Sequence, residues 1–543
     1  MVATVRAPCD EAQIRGAPSA AAPCAPSSEP WILAATILGS SIVFIDGTVV
    51  GVALPILQAE LGASVTAVQW VFEAYALVLA SLLLVGGSLG DRLGRRRIFV
   101  AGTIVFALAS IACGLSPNIE ALIAARALQG IGAAMLTPGS LAIIGASFPD
   151  DRRGRAIGTW SSFSAVSTAI GPPLGGWLIE HASWRFVFFI NVPIALVVII
   201  LALRHVPESR DEEAQGSIDW LGAVLATLGL GGIAYGLTES GNVGLSSPVV
   251  LLALAIGVAA FVLLIVVEAR TPYPMLPLHL FRSRSFSGVN VMTLLLYGAL
   301  SGLFFLFPFN LLQVQGYTTT QAGLATLPFV FIMFFLGRWS GGMVDRVGAR
   351  TMLIIGPSIV AIACLVFAIP SVGGSYWTTF FPAILLFGVG MGITVAPLTT
   401  VVMQSVNPAH TGVASGINNA ILRTAGLLAV AVVGVIALAV FSRTLDARLE
   451  GTTLPPGAAQ VLETQRSRLG AMEFPPDADR ATGGALNRAV DEAFVGAFRA
   501  TVFLAAGLAL ASALIAAATI GGGRSGNAGI VESARLTDGR EVT

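Results

Sequence analysis

The feature that most constrains this chain is a series of fourteen apolar stretches, each long enough to cross a bilayer core of ~30 Å as an α-helix. They lie near 31–56, 66–89, 98–116, 119–147, 155–179, 186–203, 217–238, 248–268, 286–312, 320–343, 351–370, 377–401, 411–441 and 494–520. Lipid offers no hydrogen bonds to the backbone, so stretches of this length are expected to be helical. The sequence therefore predicts an all-α polytopic membrane protein with fourteen transmembrane helices.

The composition agrees with this class and excludes others. Charged residues make up 11% of the chain and apolar residues 55%, whereas soluble domains carry about 25% charged residues. The net charge is zero, and all 30 basic residues are arginine. We expect the lipid bilayer as a partner and no nucleic-acid partner.

Cysteine and histidine are too scattered to suggest a metal site or a disulfide framework. The four cysteines have no paired spacing, and the four histidines are isolated in predicted connections: Cys9, Cys24, Cys113, Cys364, His181, His205, His279 and His410. We expect no bound metal.

The arginines in the connections between stretches predict the orientation of the chain. The short connections of one side hold only Arg185. The other side holds Arg92, Arg95, Arg96, Arg97, Arg152, Arg153, Arg155, Arg204, Arg210, Arg270, Arg282, Arg284, Arg346 and Arg350. Short cytosolic connections are rich in Arg and Lys, so the arginine-rich side is predicted to be cytosolic. Both termini then lie in the cytosol, and residues 442–493 form a long external loop.

A short motif between the second and third stretches recurs later in the chain. The segment from Gly87 to Arg96 matches the segment from Gly341 to Arg350 at an offset of 254 residues. Further pairs follow in the same order: Gly130-Ile-Gly132 with Gly390-Met-Gly392, and Gly154-Arg-Ala-Ile-Gly158 with Gly412-Val-Ala-Ser-Gly416. A repeat of this order indicates two six-helix halves with two helices inserted between them.

The repeat and the composition together predict the organisation of the chain. Residues 1–30, rich in Ala, Pro and Ser, are expected to be a disordered cytosolic tail. The remaining segments are an N-terminal half at 31–203, an inserted pair at 204–285, a C-terminal half at 286–520 and a cytosolic tail at 521–543.

Residues 154–177, which make up most of the fifth stretch, have a composition suited to close packing and bending. Small residues recur along one face of the predicted helix at Ser161, Ala165, Thr168, Pro172 and Gly176. Such a face lets a neighbouring backbone approach closely. The adjacent prolines Pro172 and Pro173 remove two amide donors, so we expect a bend there.

Four motifs in order resemble the fourteen-helix drug:proton antiporters of the major facilitator superfamily, the EmrB/QacA-like group. They are Asp46 to Pro55, Gly87 to Arg97, Arg126-Ala-Leu-Gln-Gly130, and the phrase formed by Gly171, Pro172, Pro173, Leu174, Gly175 and Gly176. The last resembles the antiporter signature of such exporters. The resemblance extends from Trp31 to about residue 520.

The resemblance implies a proton-coupled efflux transporter in the cytoplasmic membrane. It would export amphipathic or lipophilic, often cationic, drugs or antibiotics by alternating access. Narrow export of one endogenous metabolite or antibiotic would use the same motifs and stays open. A non-transporting receptor or scaffold is disfavoured, because the buried charges and the motif glycines are retained.

Nothing in the sequence resembles a nucleotide-binding loop, so the energy is expected to come from the proton gradient without a cofactor. We do not expect an enzyme. The small-molecule substrate and the proton are the expected ligands. We expect a monomer, with association with envelope partners as an open alternative.

Three charged residues are predicted at similar depth in the membrane: Asp46, Glu73 and Arg126. Ionisable residues at such depth are costly and usually functional, so we expect a buried cluster that couples transport to protons. Burial favours a protonated acid and a nearby arginine favours proton release. Glu73 is the preferred proton carrier, with recognition of a cationic substrate as its alternative. Asp46 and Arg126 either share this role or form a fixed ion pair.

Two further groups of residues complete the prediction. The motif between the second and third stretches and its second copy are expected to act as a cytosolic gate. This gate would be latched when the transporter closes to the cytosol, and its residues are Gly87, Asp91, Arg92, Gly94, Arg95, Arg96, Asp345 and Arg346. Asn418, Asn419 and Arg423 in the thirteenth stretch are candidates for substrate contact, with structural hydrogen bonding as the alternative.

Overall fold

The computed structural model describes residues 27–210, 219–271, 274, 276–407, 411–450, 460, 462, 464–472 and 480–521. The predicted tails lie almost entirely outside these residues. In the described parts of the chain all regular structure is helical and no strand occurs, which confirms the predicted all-α class.

The helices follow the predicted stretches in order. They are α1 Glu29–Glu60, α2 Val65–Leu93, α3 Arg95–Leu115, α4 Ile119–Ser147, α5 Asp150–His181, α6 Phe186–Phe189, α7 Asn191–His205, α8 Trp220–Val243, α9 Pro248–Arg270, α10 Arg284–Phe309, α11 Thr319–Ala325, α12 Leu327–Val347, α13 Ala349–Phe367, α14 Tyr376–Thr379, α15 Phe381–Gln404, α16 Thr411–Leu449 and α17 Arg480–Thr519. A π-helical turn, Asn310–Val314, extends α10.

Thirteen helical segments of the described chain are long and apolar enough to cross a membrane. The fifth predicted stretch, now α5, is helical throughout but is not among them. Its serines, glycines and charged first turn lower its mean hydropathy. The count of fourteen spans therefore stays a prediction.

The predicted loop at 442–493 is shorter than expected at both ends. α16 continues to Leu449, and α17 already begins at Arg480. Between them, a short 3₁₀ helix forms at Arg466–Ala471. Both helices extend beyond their apolar stretches, because polar residues outside a membrane can continue a helix once it has formed.

Helix packing repeats between the two parts of the chain. In the first part α4 packs on α2 and α3, and α1 packs on α5 and α7. In the second part α15 packs on α12 and α13, and α10 packs on α16 and α17. The repeat supports the predicted halves, here called the first set (α1–α7) and the second set (α10–α17).

Close glycine contacts correct one register within this repeat. A Cβ on Gly132 would lie 2.8 Å from the Gly102 oxygen of α3, and one on Gly390 would lie 2.8 Å from the Gly356 oxygen of α13. Gly130 instead faces Tyr75 of α2. The equivalent of Gly390 is therefore Gly132. The sequence match had paired Gly390 with Gly130, two residues earlier.

The two sets meet mainly where α5 packs on α11 and α2 packs on α16, with smaller contacts of α5 with α12 and of α1 with α10. The inserted helix α8 packs against both α2 and α16. α9 packs mainly on α8 and exposes much of its apolar surface. We call the end of the bundle that carries the α2–α3 connection the arginine-rich end, and the other the opposite end.

Candidate functional site

Asp46 of α1 and Arg126 of α4 form a fully buried ion pair. Arg126 Nη1 lies 2.6 Å from Asp46 Oδ2, and both side chains have no exposed surface. Arg126 Nε also donates to the Val71 carbonyl of α2 at 3.0 Å. The Tyr75 ring centroid lies 4.2 Å from the guanidinium carbon, an arrangement that adds a cation–π contact. The pair thus joins α1, α2 and α4.

Three polar side chains complete the surroundings of Asp46. Gln129 Nε2 donates to Asp46 Oδ1 at 2.9 Å and to Ser110 Oγ at 2.8 Å. Asn191 Nδ2 donates to the same Asp46 oxygen at 3.1 Å. The Gln129 oxygen accepts from Arg126 Nη1 at 2.6 Å. Both carboxylate oxygens of Asp46 therefore accept hydrogen bonds.

Gln129, Ser110 and Asn191 were not predicted as site residues from the sequence. Gln129 was visible in the Arg126 motif, one helical turn after the arginine, and Asn191 stands in the segment that follows Trp184. Asn191 begins α7, so its side chain reaches Asp46 only through the packing of α7 on α1. Its position along the chain gives no sign of this contact.

Glu73 is buried as predicted but lies on another face of α2. Thr238 Oγ1 of α8 donates to the Glu73 carboxylate at 2.9 and 3.2 Å. The Glu73 side chain has no exposed surface. Val71 and Tyr75 face Arg126, and residues two positions apart on a helix point about 200° apart. The structure therefore brings Asp46 and Arg126 together and separates Glu73 from them.

The face of α2 that carries Glu73 is the junction with α8 and α16. One turn earlier, Gln69 donates to the Val430 carbonyl of α16 at 2.9 Å. Thr66 donates to Asn242 of α8 at 2.9 Å. Glu73 thus lies where a helix of the first set, an inserted helix and a helix of the second set meet.

A cavity of about 1720 Å³ lies between the two sets and reaches from the arginine-rich end to mid-bundle. Its polar lining away from the rim includes Thr48, Thr168, Ser301 and Arg423. Asp46, Glu73 and Arg126 do not line it.

The three candidates for substrate contact have different surroundings. Arg423 and Asn419 line the cavity. Asn418 is 7% exposed and donates to Asn290 Oδ1 at 3.0 Å and to Thr293 Oγ1 at 2.8 Å, both on α10. Asn418 therefore joins α16 to α10, in line with the structural alternative stated for it.

The predicted gate motif forms the rim of the cavity. Gly87, Asp91, Arg92 and Arg95 line the opening. Asp91 pairs with Arg95 at 2.8 Å, one turn later in the same segment. Gly94 has φ +114°, a conformation that favours glycine.

Glu208, in the segment that follows α7, contacts the gate motif. Glu208 accepts from the Arg96 amide at 3.2 Å and lies 3.8 Å from its guanidinium. In the second copy of the motif Gly348 also has positive φ, at +86°. Arg346 is exposed there, whereas the Asp345 side chain lies outside the described atoms.

The glycines of α5 permit close contacts with two neighbours. A Cβ on Gly171 would overlap Thr48 Oγ1, and one on Gly175 would overlap Val49, both on α1. A Cβ on Gly176 would overlap the Thr319 carbonyl of α11. α5 remains helical through Pro172 and Pro173, and the Pro172 carbonyl lies against Gly323 of α11.

The opposite end of the cavity region is bridged by the 3₁₀ helix at Arg466–Ala471. Gln58 of α1 donates to the Arg468 carbonyl at 3.0 Å, and Arg468 donates to the Gly62 carbonyl at 3.0 Å. Gln313 of the π-helical turn donates to Gln58 at 2.9 Å. These bonds link the first set, the loop and the second set at this end.

Comparison with known proteins places this geometry in context. Residues 36–431 match the family model of the Major Facilitator Superfamily. The chain is 34% identical to the "Multidrug resistance protein Stp" of Mycobacterium tuberculosis, over 79% of this chain and 80% of that protein. It is 32% identical to the "Tetracenomycin C resistance and export protein" of Streptomyces glaucescens, over 90% and 91% of the two chains.

The fold is also similar to solved structures. A bacterial homolog of the human lysosomal transporter Spinster superposes with a TM-score of 0.62 at 18% identity, covering 91% of this chain and 99% of that one.

Proposed function

Because the chain belongs to the major facilitator superfamily, we propose that it is an efflux transporter that exports drugs or antibiotics across the cytoplasmic membrane in exchange for protons. The observation that carries the proposal is the cavity between the two sets, which opens at the arginine-rich end while α5 and α11 meet at the other. Relatives named for multidrug resistance and for tetracenomycin C resistance and export support the substrate class.

Transport in this proposal proceeds by rocking of the two sets around the cavity. The short connections at the arginine-rich end carry most of the arginine, which supports its assignment to the cytosol. The described conformation is then open to the cytosol and ready to receive substrate. The gate motif, with Asp91 and Arg92 and their counterparts Asp345 and Arg346, would latch this end after the cavity closes.

Glu73 is the proposed proton carrier. Its carboxyl has a hydroxyl partner on α8, whereas Asp46 already pairs with an arginine and two side-chain amides. A carboxyl bonded to one hydroxyl can gain or lose a proton without breaking an ion pair. Its position at the α2, α8 and α16 junction also means that relative movement of the two sets changes its surroundings.

In this view the Asp46–Arg126 pair holds α1, α2 and α4 in register. The inserted helix α8 supplies Thr238 and so takes part in coupling. Glu73 and Asp46, which were predicted to lie in one cluster, thus have different roles.

Drug-driven proton flux from purified protein in liposomes with an internal pH dye tests the proposal. We expect flux with the natural chain, its loss in Glu73→Gln, and normal flux in the control Glu120→Gln, which changes an exposed acid. Thr238→Val should impair flux more than Thr238→Ser, which keeps a hydroxyl.

Three results would change the proposal. Normal coupled flux in Glu73→Gln would move the proton role to Asp46. Flux with only one compound of a chemically varied panel would favour export of a single antibiotic or metabolite. If the liposomes transport compounds but none of these compounds dissipates the proton gradient, antiport is excluded.

A further inference from the structure

The charged residues of the cavity are unevenly distributed along its depth. Most lie at the arginine-rich rim, at the ends of helices or in connections: Asp91, Arg92, Arg95, Asp219, Glu268 and Arg282. Arg423 lies twelve residues after the start of α16, about 18 Å along the helix. It is the deepest charged side chain among the described cavity residues, and no carboxylate lines that depth.

Arg423 also differs from the other deep arginine in its contacts. Arg126 has the Asp46 carboxylate, a side-chain amide and a backbone carbonyl as acceptors. The structure describes no hydrogen bond or ion pair for Arg423 within the described part of the chain, although it faces the cavity. A cation at this depth is costly unless something compensates its charge.

We propose that Arg423 is the anion-binding residue of the cavity, and that exported compounds carry a carboxylate, an ionised phenol or a similar acidic group which pairs with it. The proposal rests on the proposed efflux function and specifies its substrate class. It departs from the often cationic compounds that the family resemblance implies, because the described residues that line this depth of the cavity include a cation and no acid.

The lining of the cavity that Arg423 faces suits an aromatic acid. Phe44, Trp160 and Tyr297 line it and provide flat apolar surface. Asn419 and Ser301 add side-chain donors to the same lining. A planar guanidinium recognises a carboxylate through two parallel hydrogen bonds, so a flat ring with one acidic group would meet both kinds of surface.

Binding to the purified full chain in detergent tests this without requiring transport. The probes share one ring system and differ in charge: pyrene-1-butyric acid, its methyl ester and the corresponding tertiary amine. Equilibrium dialysis should give tightest binding for the acid. Arg423→Gln should weaken acid binding by about tenfold or more and leave the ester almost unchanged, because a hydrogen bond to a charged group is lost.

Two further variants separate charge from folding. Arg423→Lys should retain part of the preference for the acid. Arg443→Gln, which changes an exposed arginine farther along the same helix, should bind all three probes as the natural chain does. Equal binding of acid and ester, equal losses for both in Arg423→Gln, or tightest binding of the amine would each overturn the proposal.

A transport measurement distinguishes this inference from the proposed function. An anion that leaves in exchange for an entering proton moves net charge, so an inside-negative potassium diffusion potential should accelerate export of the acid more than that of the ester. Proton-coupled export of the ester and amine without a preference for the acid would preserve the efflux proposal and reject the role of Arg423. Acid binding without any proton-coupled flux would preserve the role of Arg423 and reject the efflux proposal.

Discussion

At the residue scale, the chain contains two kinds of deeply placed charge. Asp46 and Arg126 form an ion pair and are enclosed by Gln129, Ser110 and Asn191. Glu73 has only a hydroxyl partner among the described contacts, and Arg423 faces a cavity. A paired charge stabilises one arrangement of helices, whereas a charge with few partners can respond to a proton or a substrate.

Arg126→Ala should strongly destabilise the protein, because it leaves Asp46 buried without its countercharge. Breaking one side of a buried ion pair typically costs about 3–5 kcal/mol. Thermal unfolding in detergent should show a large decrease in midpoint. Arg155→Ala, which removes an exposed arginine, serves as the control and should be nearly neutral.

The double variant Asp46→Asn with Arg126→Gln should lose less stability than Arg126→Ala alone, since neither charge is then left unpaired. If correctly inserted Arg126→Ala unfolds like the natural chain and exports normally, the ion pair does not hold these helices together.

At the element scale, α5 and α8 have roles that their hydropathy does not reveal. α5 brings its backbone against α1 and α11 because glycines replace larger side chains at the contacts. α8 packs against one helix from each set and supplies the partner of Glu73. Both elements lie where the two sets meet, so changes in either should affect the transport cycle.

Gly176→Leu should separate α5 from α11, because even a Cβ would overlap the Thr319 carbonyl. We expect reduced thermal stability and reduced efflux. Gly158→Leu is the matched control in the same helix, since a Cβ there meets nothing within 4 Å. Equal behaviour of the two variants in both assays would contradict the role assigned to this contact.

At the scale of the whole molecule, the cavity and the contacts at the opposite end belong to one conformation, which is open at the arginine-rich end and closed at the opposite end. Opening the opposite end requires α5 to leave α11 and the bonds of Gln58, Arg468 and Gln313 to break. Closing the arginine-rich end requires cavity-lining helices of the two sets, such as α4 and α15, to approach each other. The two movements are coupled because each set moves largely as a packed unit.

Spin labels on cysteines introduced at both ends should report this coupling by pulsed electron paramagnetic resonance. Labels at Leu141 of α4 and Met403 of α15, both exposed on the cavity lining, should move closer when transport is driven. Labels at His181 and Leu324, near the α5–α11 contact and exposed, should move apart by a similar extent. Shortening at the first pair without lengthening at the second would exclude alternating access.

The helical class, the order of the helices and the arginine asymmetry are all predictable from the residues in chain order. These depend on local hydropathy and on arginines in short connections, and both can be read along the chain. The family was also predictable and is confirmed, because its motifs are contiguous. The number of transmembrane helices was harder to predict, because α5 is long enough to cross a membrane but has low hydropathy.

Which of the deeply placed charges meet depends on how the helices pack and could not be predicted from the chain alone. Counting residues gives depth along a helix but not the direction of a side chain relative to its neighbours. Asp46, Glu73 and Arg126 were therefore expected together, yet the packing of α2 directs Glu73 to Thr238 of α8 and leaves Arg126 with Asp46. Packing also placed Asn418 against α10 and Arg423 in the cavity, five residues apart on one helix.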